Sequence, residues 1–228
     1  MDSIKAVLFE PVGCLAEFSA EEFTRAATEL FGVSEETAGG SQAYWRLIGL
    51  MNRQPVAAET LVRLQAFELR AAEQAELYED VHAALAELNA LGVAAHLASS
   101  LSRAAVARFL ARHSLSDAFA GVVTRDEAHG LMASVLRATV ERAGVAPPQI
   151  MALADTAEAL ELIKQQGLNA MLMINDYDEG RALAERHPAG GIVSLAELPD
   201  ALRLIAQRSG LHTTARAPRA PFELFDPT

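Results

Sequence analysis

Three polar side chains that could do chemistry stand directly after short apolar runs: Glu10, Ser99 and Asp155. A carboxylate is an unusual choice for core packing, so the position of Glu10 favours a ligand-facing role. Ser99 could donate a hydrogen bond to a phosphate, although Ser99 and Ser100 also suit a turn. Asp155 stands three residues before Glu158, which predicts a capping box for the following helix and is compatible with a ligand role.

The elements that must position these residues alternate along the chain. Runs rich in Val, Ile, Leu and Met predict strands, and most are separated by segments of helical pattern. The predicted strands are Ile4–Phe9, Val93–Ala98, Gly121–Thr124, Ile150–Ala154 and Ala170–Ile174. The predicted helices are Asp80–Leu91, Arg103–Arg112, Met132–Ala143, Thr156–Gln166 and Glu179–Arg186. This pattern predicts an α/β fold with a doubly wound parallel sheet.

An insertion between the first two predicted strands, residues 16–78, has helical periodicity and no strand pattern. Ser19 followed by Glu22 predicts a capping box at its first helix. The aromatic pair Tyr44 and Trp45 could line a pocket, but its helical spacing with apolar neighbours favours packing. We therefore predict a core of residues 1–15 and 79–208, a small all-helical domain of residues 16–78, and a C-terminal tail of residues 209–228.

The composition excludes several functions. The chain has 228 residues and a formal charge of −11, and it lacks the clustered cations of a nucleic-acid-binding protein. It has no apolar run near the roughly 18 residues of a membrane span and no pattern of an export signal. One cysteine, Cys14, excludes an internal disulfide and fits a reducing compartment, so we expect the cytoplasm. The histidines lack zinc-ligand spacing, and the pairs Gly39–Gly40 and Gly190–Gly191 are interpreted as turns.

Four segments, in order, carry a resemblance to a known family. They are Ala6–Leu15, Val93–Arg103, Ala128–Leu136 and Gly144–Thr156. Together they resemble the haloacid dehalogenase superfamily, in its phosphatase-like branch with a helical cap inserted after strand one. The resemblance runs to about residue 205 and implies a Rossmann-like core beneath that cap.

The resemblance also implies a chemistry that this chain lacks in part. In the family an aspartate attacks phosphorus, a second aspartate two residues later is the general acid and base, and a lysine and Mg²⁺ offset the negative charge. On that template Glu10 takes the nucleophile position, Val12 the acid/base position, Cys14 the threonine position and Gly130 the lysine position.

Two polar positions of the template are kept. Ser99 matches the phosphate-binding residue, and Asp155, with Glu10, would be the Mg²⁺ ligand set, so Glu10, Ser99 and Asp155 are the candidate catalytic residues. The degenerate pocket positions are Val12, Gly13, Cys14, Ser100, His129 and Gly130. Cys14 is also interpreted as a small buried hydrophobe.

The altered positions predict impaired catalysis. Glu10 adds a methylene where about 1 Å of misplacement can cost about 100-fold in rate. Val12 has no proton to transfer, a loss typically of about 10²–10⁴. Gly130 supplies no positive charge, and a neighbouring neutral His129 is a poor substitute.

Our first hypothesis is therefore an inactive or impaired member, a pseudoenzyme that binds a protein or a small ligand, which could be phosphorylated. The alternatives are a divergent Mg²⁺-dependent hydrolase acting on a phosphorylated metabolite through Glu10, and a structural subunit that forms an oligomer through its cap or its tail. Carbon–halogen cleavage ranks lower, because the dehalogenases still need the aspartate and the lysine.

Overall fold

The structure is a computed structural model that describes residues 3–34, 39–53 and 55–211, with side chains described up to residue 207. The strands are β1 (Ala6–Phe9), β2 (Ala16–Glu17), β3 (Glu76–Leu77), β4 (Ala94–Ser99), β5 (Gly121–Thr124), β6 (Ile150–Ala154), β7 (Asn169–Met173) and β8 (Gly190–Ile192). The helices are α1 (Pro11–Cys14), α2 (Ala20–Phe31), α3 (Gly40–Asn52), α4 (Ala58–Gln74), α5 (Val81–Ala90), α6 (Arg103–Arg112), α7 (Arg125–Ala128), α8 (Met132–Ala143), α9 (Ala157–Gln165), α10 (Tyr177–Ala184) and α11 (Leu198–Leu211).

Six strands form one sheet in the order β5-β4-β1-β6-β7-β8, and every neighbouring pair is parallel. The predicted α/β fold with a doubly wound parallel sheet is confirmed. β1 and β6 are buried along their whole length, as expected for central strands covered by helices on both faces. Because β1 lies between β4 and β6, the residues that follow these three strands meet at one edge of the sheet.

One strand of the six-stranded sheet was not predicted from the sequence. Gly190 and Gly191, interpreted as a turn, pair with Met171 and Leu172 in the edge strand β8. Two glycines give no hydrophobic alternation, so the pattern could not reveal this strand.

The other glycine pair begins a helix. Gly39 precedes α3 in an extended conformation, and a Cβ on Gly40 would lie 1.8 Å from the Phe18 carbonyl oxygen. Only glycine allows α3 to begin this close to the preceding chain.

The described part of the insertion holds three helices, α2, α3 and α4, which we call the cap helices. Ser19 caps α2 by accepting a hydrogen bond from the Glu21 N–H at 3.2 Å, which confirms its predicted position at the helix start. The Glu22 carboxylate bonds to Arg25 and Arg70 instead of completing the predicted capping box. The insertion also contains strand structure that we did not predict: β2 and β3 pair antiparallel where the chain enters and leaves the cap helices. A two-residue ribbon is too short to produce a periodic pattern.

The last described helix, α11, continues to Leu211, so the first residues of the predicted tail are helical, and residues 212–228 lie outside the described part of the chain. None of the described helices is long and apolar enough to cross a membrane. The domain boundaries given above stay a prediction.

Candidate functional site

The turn after β1 brings the candidate residues together. Glu10 is followed by Pro11, and the short helix α1 is kinked at Val12 and at Gly13, whose φ is +76°. A Cβ on Gly13 would lie 1.7 Å from Asp155 Oδ2 and 2.1 Å from Ser41 Oγ. Glycine is therefore required at position 13 both by its left-handed backbone and by the lack of space.

Glu10 is buried and holds a closed hydrogen-bond network. The Ser99 hydroxyl donates to Glu10 Oε1 at 2.6 Å, and the Tyr44 hydroxyl donates to Glu10 Oε2 at 3.0 Å. The Tyr44 oxygen in turn accepts from the Ser100 N–H at 3.0 Å, and Ser99 Oγ accepts from the Leu101 N–H at 3.2 Å. The network joins β1 and β4 of the core to α3 of the cap helices.

Burial controls the protonation of this pocket. Desolvation raises the pKa of Glu10 to about 8, against the lowering effect of its donors Ser99, Tyr44 and the Val12 N–H. Desolvation likewise raises the pKa of Asp155 to about 7, which the Ser41 hydroxyl partly offsets. Near neutral pH Glu10 is therefore mostly a neutral acid, which is a weak nucleophile.

Asp155 follows β6 on the other side of β1. Its Oδ2 atom is buried and has no hydrogen-bond partner among the described residues. The predicted capping role is wrong, because the helix begins at Ala157 and Thr156 is its N-cap, accepting from the Ala159 N–H at 3.3 Å. Asp155 is thus left facing the pocket.

The space inside the pocket is small. A cavity of about 20 Å³ lies beside Glu10, Cys14, Trp45 and Asp155. About one water fits such a volume, which is far below the size of a phosphorylated metabolite. Trp45 of α3 reaches this cavity beside its neighbour Tyr44, so the cap helices themselves fill the space over the pocket.

The degenerate positions lie in three places, one of which is the loop after β4, where the Ser100 N–H donates to Tyr44. Val12, Gly13 and Cys14 lie in the turn at the pocket, and Cys14 is buried, as its interpretation as a small hydrophobe predicted. His129 and Gly130 lie in the connection between α7 and α8. A Cβ on Gly130 would point at Ser134, 2.7 Å from its hydroxyl.

The donor set does not suit the metal that the resemblance implies. Mg²⁺ takes near-octahedral oxygen ligands and usually keeps several waters. Here both oxygens of Glu10 accept hydroxyl hydrogen bonds, and the cavity has room for about one water. No group of three or more acidic, histidine or cysteine side chains that could hold a metal occurs within residues 3–34, 39–53 and 55–211. In this closed arrangement the residues present do not fit Mg²⁺, and Glu10 and Asp155 remain ligands by prediction only.

Two site residues were not assigned from the sequence. Tyr44, for which packing was favoured, packs on Phe23 and Trp45 and also bonds to Glu10. Ser41 begins the same helix and lies beside Asp155. Contacts between the cap and the core leave no local pattern in the sequence. The helical spacing of Tyr44 therefore could not show whether its side chain only packs or also bonds to a site residue.

Comparisons with known proteins agree with the fold described above. A family model described as haloacid dehalogenase-like hydrolase matches residues 39–173, more than half of the chain. No curated protein sequence matches the chain significantly.

Solved structures of the same fold cover most of the chain. A haloacid dehalogenase-like hydrolase from Streptococcus pneumoniae has a TM-score of 0.67 at 16% identity, covering 87% of this chain and 98% of that one. A mutant of CbbY from Rhodobacter sphaeroides, in complex with xylulose-(1,5)bisphosphate, has a TM-score of 0.65 at 20% identity, covering 86% of this chain and 96% of that one. L-2-haloacid dehalogenase from Xanthobacter autotrophicus has a TM-score of 0.59 at 17% identity over 88% and 98%.

Proposed function

Because the chain belongs to the haloacid dehalogenase-like hydrolase family, we propose that it is a member without the family's phosphohydrolase activity, acting by binding a ligand or a protein. One observation carries the proposal. The cap residues Tyr44 and Trp45 reach the pocket at the nucleophile position, Glu10 is bonded to Tyr44, and a cavity of only about 20 Å³ remains.

The proton chemistry of the pocket supports the same proposal. Glu10, with a pKa raised to about 8, is mostly neutral at pH 7 and attacks phosphorus poorly. Val12 has no group that could protonate a leaving oxygen. Gly130 brings no cation to balance the phosphate, so the charge that builds up in the reaction would stay uncompensated.

The test is a hydrolysis assay with Mg²⁺ on p-nitrophenyl phosphate and acetyl phosphate. We expect no turnover above that of Glu10→Gln, which measures contaminating phosphatase. Turnover of about 1 s⁻¹ or more that is lost in Glu10→Gln and kept in Glu161→Gln, an exposed control, would contradict the proposal. That result would favour the divergent hydrolase instead, for which the unpartnered Asp155 Oδ2 is the supporting observation.

The ligand class we propose is a small phosphorylated molecule. Ser99 and Ser100 stand at the end of β4 and belong to the pocket network. The Ser100 N–H could donate to phosphate once the Tyr44 hydroxyl moves away, and the Ser99 hydroxyl once it turns from Glu10. Calorimetric titration with inorganic phosphate should give binding heat that Ser99→Ala loses. Equal binding heat in the two proteins, or none in either, would remove this ligand class.

A further inference from the structure

A second buried polar cluster lies at the boundary between the cap helices and the core, outside the pocket. Glu68 stands in the buried stripe of α4, with Leu64 and Ala71 on the same face. Arg125 follows β5 and is also buried. The two side chains form an ion pair that crosses from cap to core.

Backbone groups of the loop after β4 complete this cluster. Arg125 Nη1 donates to the Ser100 carbonyl at 3.0 Å, and the Ser102 N–H donates to Glu68 Oε2 at 3.1 Å. The same loop gives the Ser100 N–H to Tyr44 in the pocket. The ion pair therefore holds the loop that also forms one wall of the pocket.

We propose that the Glu68–Arg125 pair is a latch that holds the cap helices closed over the Glu10 pocket. The pocket is open to solvent and ligand only when this pair separates. The inference rests on the proposed function in one respect, that the pocket beneath the cap is the binding site, and it names what regulates access to it.

The physics of a buried pair makes the latch act in an all-or-none way. A small separation leaves a carboxylate and a guanidinium unpaired in a low-dielectric interior, which is costly until water reaches both. The cap is thus expected to be either fully seated or opened far enough to hydrate both charges. The chain enters and leaves the cap helices through the short β2–β3 ribbon, so we expect the opening movement to turn about this ribbon.

A matched pair at the same boundary serves as the control. Arg108 of α6 and Glu73 of α4 form an ion pair at 2.7 Å, but both side chains are about half exposed. Water solvates these charges in the closed and the open cap alike, so this pair contributes little to closure.

The sequence supplies two internal probes of opening. Cys14 is the single cysteine and Trp45 the single tryptophan of the chain, and both line the small cavity beneath the cap. A thiol reagent reaches Cys14, and a quencher such as acrylamide reaches Trp45, only when the cap moves or the protein unfolds.

The experiment compares Glu68→Gln with Arg108→Gln and with Leu88→Ala, a buried core variant on α5 that destabilises the whole chain. We expect Glu68→Gln to speed Cys14 modification at least tenfold without urea, with a weak dependence on urea and greater quenching of Trp45. Arg108→Gln should change the rate less than threefold. Leu88→Ala should speed it only with the steep urea dependence of global unfolding.

Modification of Cys14 in Glu68→Gln that follows global unfolding, as in Leu88→Ala, would overturn the latch. If Glu68→Gln does not fold, Glu68→Asp keeps the charge but shortens the reach, and it should give an intermediate rate with the same weak urea dependence. An unchanged rate in Glu68→Asp would also count against the latch. None of these readouts uses catalysis. Failure of the latch and failure of the proposed function would therefore be recognised separately.

Discussion

Two buried polar clusters lie under the cap helices, and they differ in how their charge is balanced. The pocket holds two acids, Glu10 and Asp155, whose pKa values burial raises to about 8 and about 7. The other cluster pairs the acid Glu68 with the base Arg125. In the first cluster burial favours the protonated form of both acids, whereas in the second an acid is paired directly with a base.

This difference predicts how each cluster responds to pH and to substitution. The raised pKa values of the two pocket acids make the stability of the protein fall as pH rises towards 8. A balanced ion pair is sensitive to the loss of either partner, because the remaining charge is then buried alone. Substitutions in each cluster should therefore separate these two behaviours.

The largest effect is expected from Arg125→Met. It leaves the Glu68 carboxylate buried without a partner, so the free energy of unfolding should fall by about 3–5 kcal/mol in urea titrations at pH 7. The double variant Glu68→Met with Arg125→Met replaces both charges by apolar groups and should recover most of that loss. A double variant no more stable than Arg125→Met would show that the pair itself is not the cause.

The next largest effect is expected from Glu10→Gln and depends on pH. Because the folded pKa of Glu10, about 8, lies above its ordinary value of 4.5, the stability it contributes is complete below pH 4.5 and is lost as pH rises through 8. A glutamine amide does not titrate and carries no such dependence. The variant should therefore gain about 2 kcal/mol or more on the native chain between pH 5 and pH 9 in urea titrations.

The control for this pH effect is Glu161→Gln, which changes an exposed acid on α9. Its difference from the native chain should be the same at both pH values. If the difference between Glu10→Gln and the native chain were also the same at pH 5 and pH 9, Glu10 would be ionised in the folded protein at neutral pH.

The smallest effect is expected from Tyr44→Phe. It removes a hydroxyl that donates to Glu10 and accepts from the Ser100 N–H, which should cost about 1–2 kcal/mol of unfolding free energy. Since the Tyr44 hydroxyl lowers the pKa of Glu10, its removal should also extend the stability loss seen with rising pH to higher pH. Tyr177→Phe, on an exposed ring, should change neither quantity.

The core of the fold could be predicted from the sequence because its signals are local. The strands Gly121–Thr124 and Ile150–Ala154 and the helices Arg103–Arg112 and Met132–Ala143 have the predicted bounds. β8 was not predicted because Gly190 and Gly191 have no side chains that could form an alternating pattern. A strand can form from backbone pairing alone, and such pairing leaves no pattern.

The site was predicted in part, and for the same reason. Glu10 follows β1 and Ser99 ends β4, and both were expected at a functional edge of the sheet, where the structure joins them by a hydrogen bond. Their catalytic roles stay predictions. Tyr44 and Ser41 come from the cap, so their contacts depend on a packing that no local spacing records. Glu68 did carry a signal that went unused, namely an acid within the apolar stripe of α4.

Of the described glycines, Gly13 has the least space for a side chain. Segments from β1, from the end of β6 and from the start of α3 converge there with no space for a single methyl group. The carbonyl of Gly13 is fixed as well, because it accepts from Asn175 Nδ2 at 2.8 Å. A Cβ at position 13 would collide with Asp155 of the core and with Ser41 of the cap helices. The close contact between cap and core therefore depends on position 13 having no side chain.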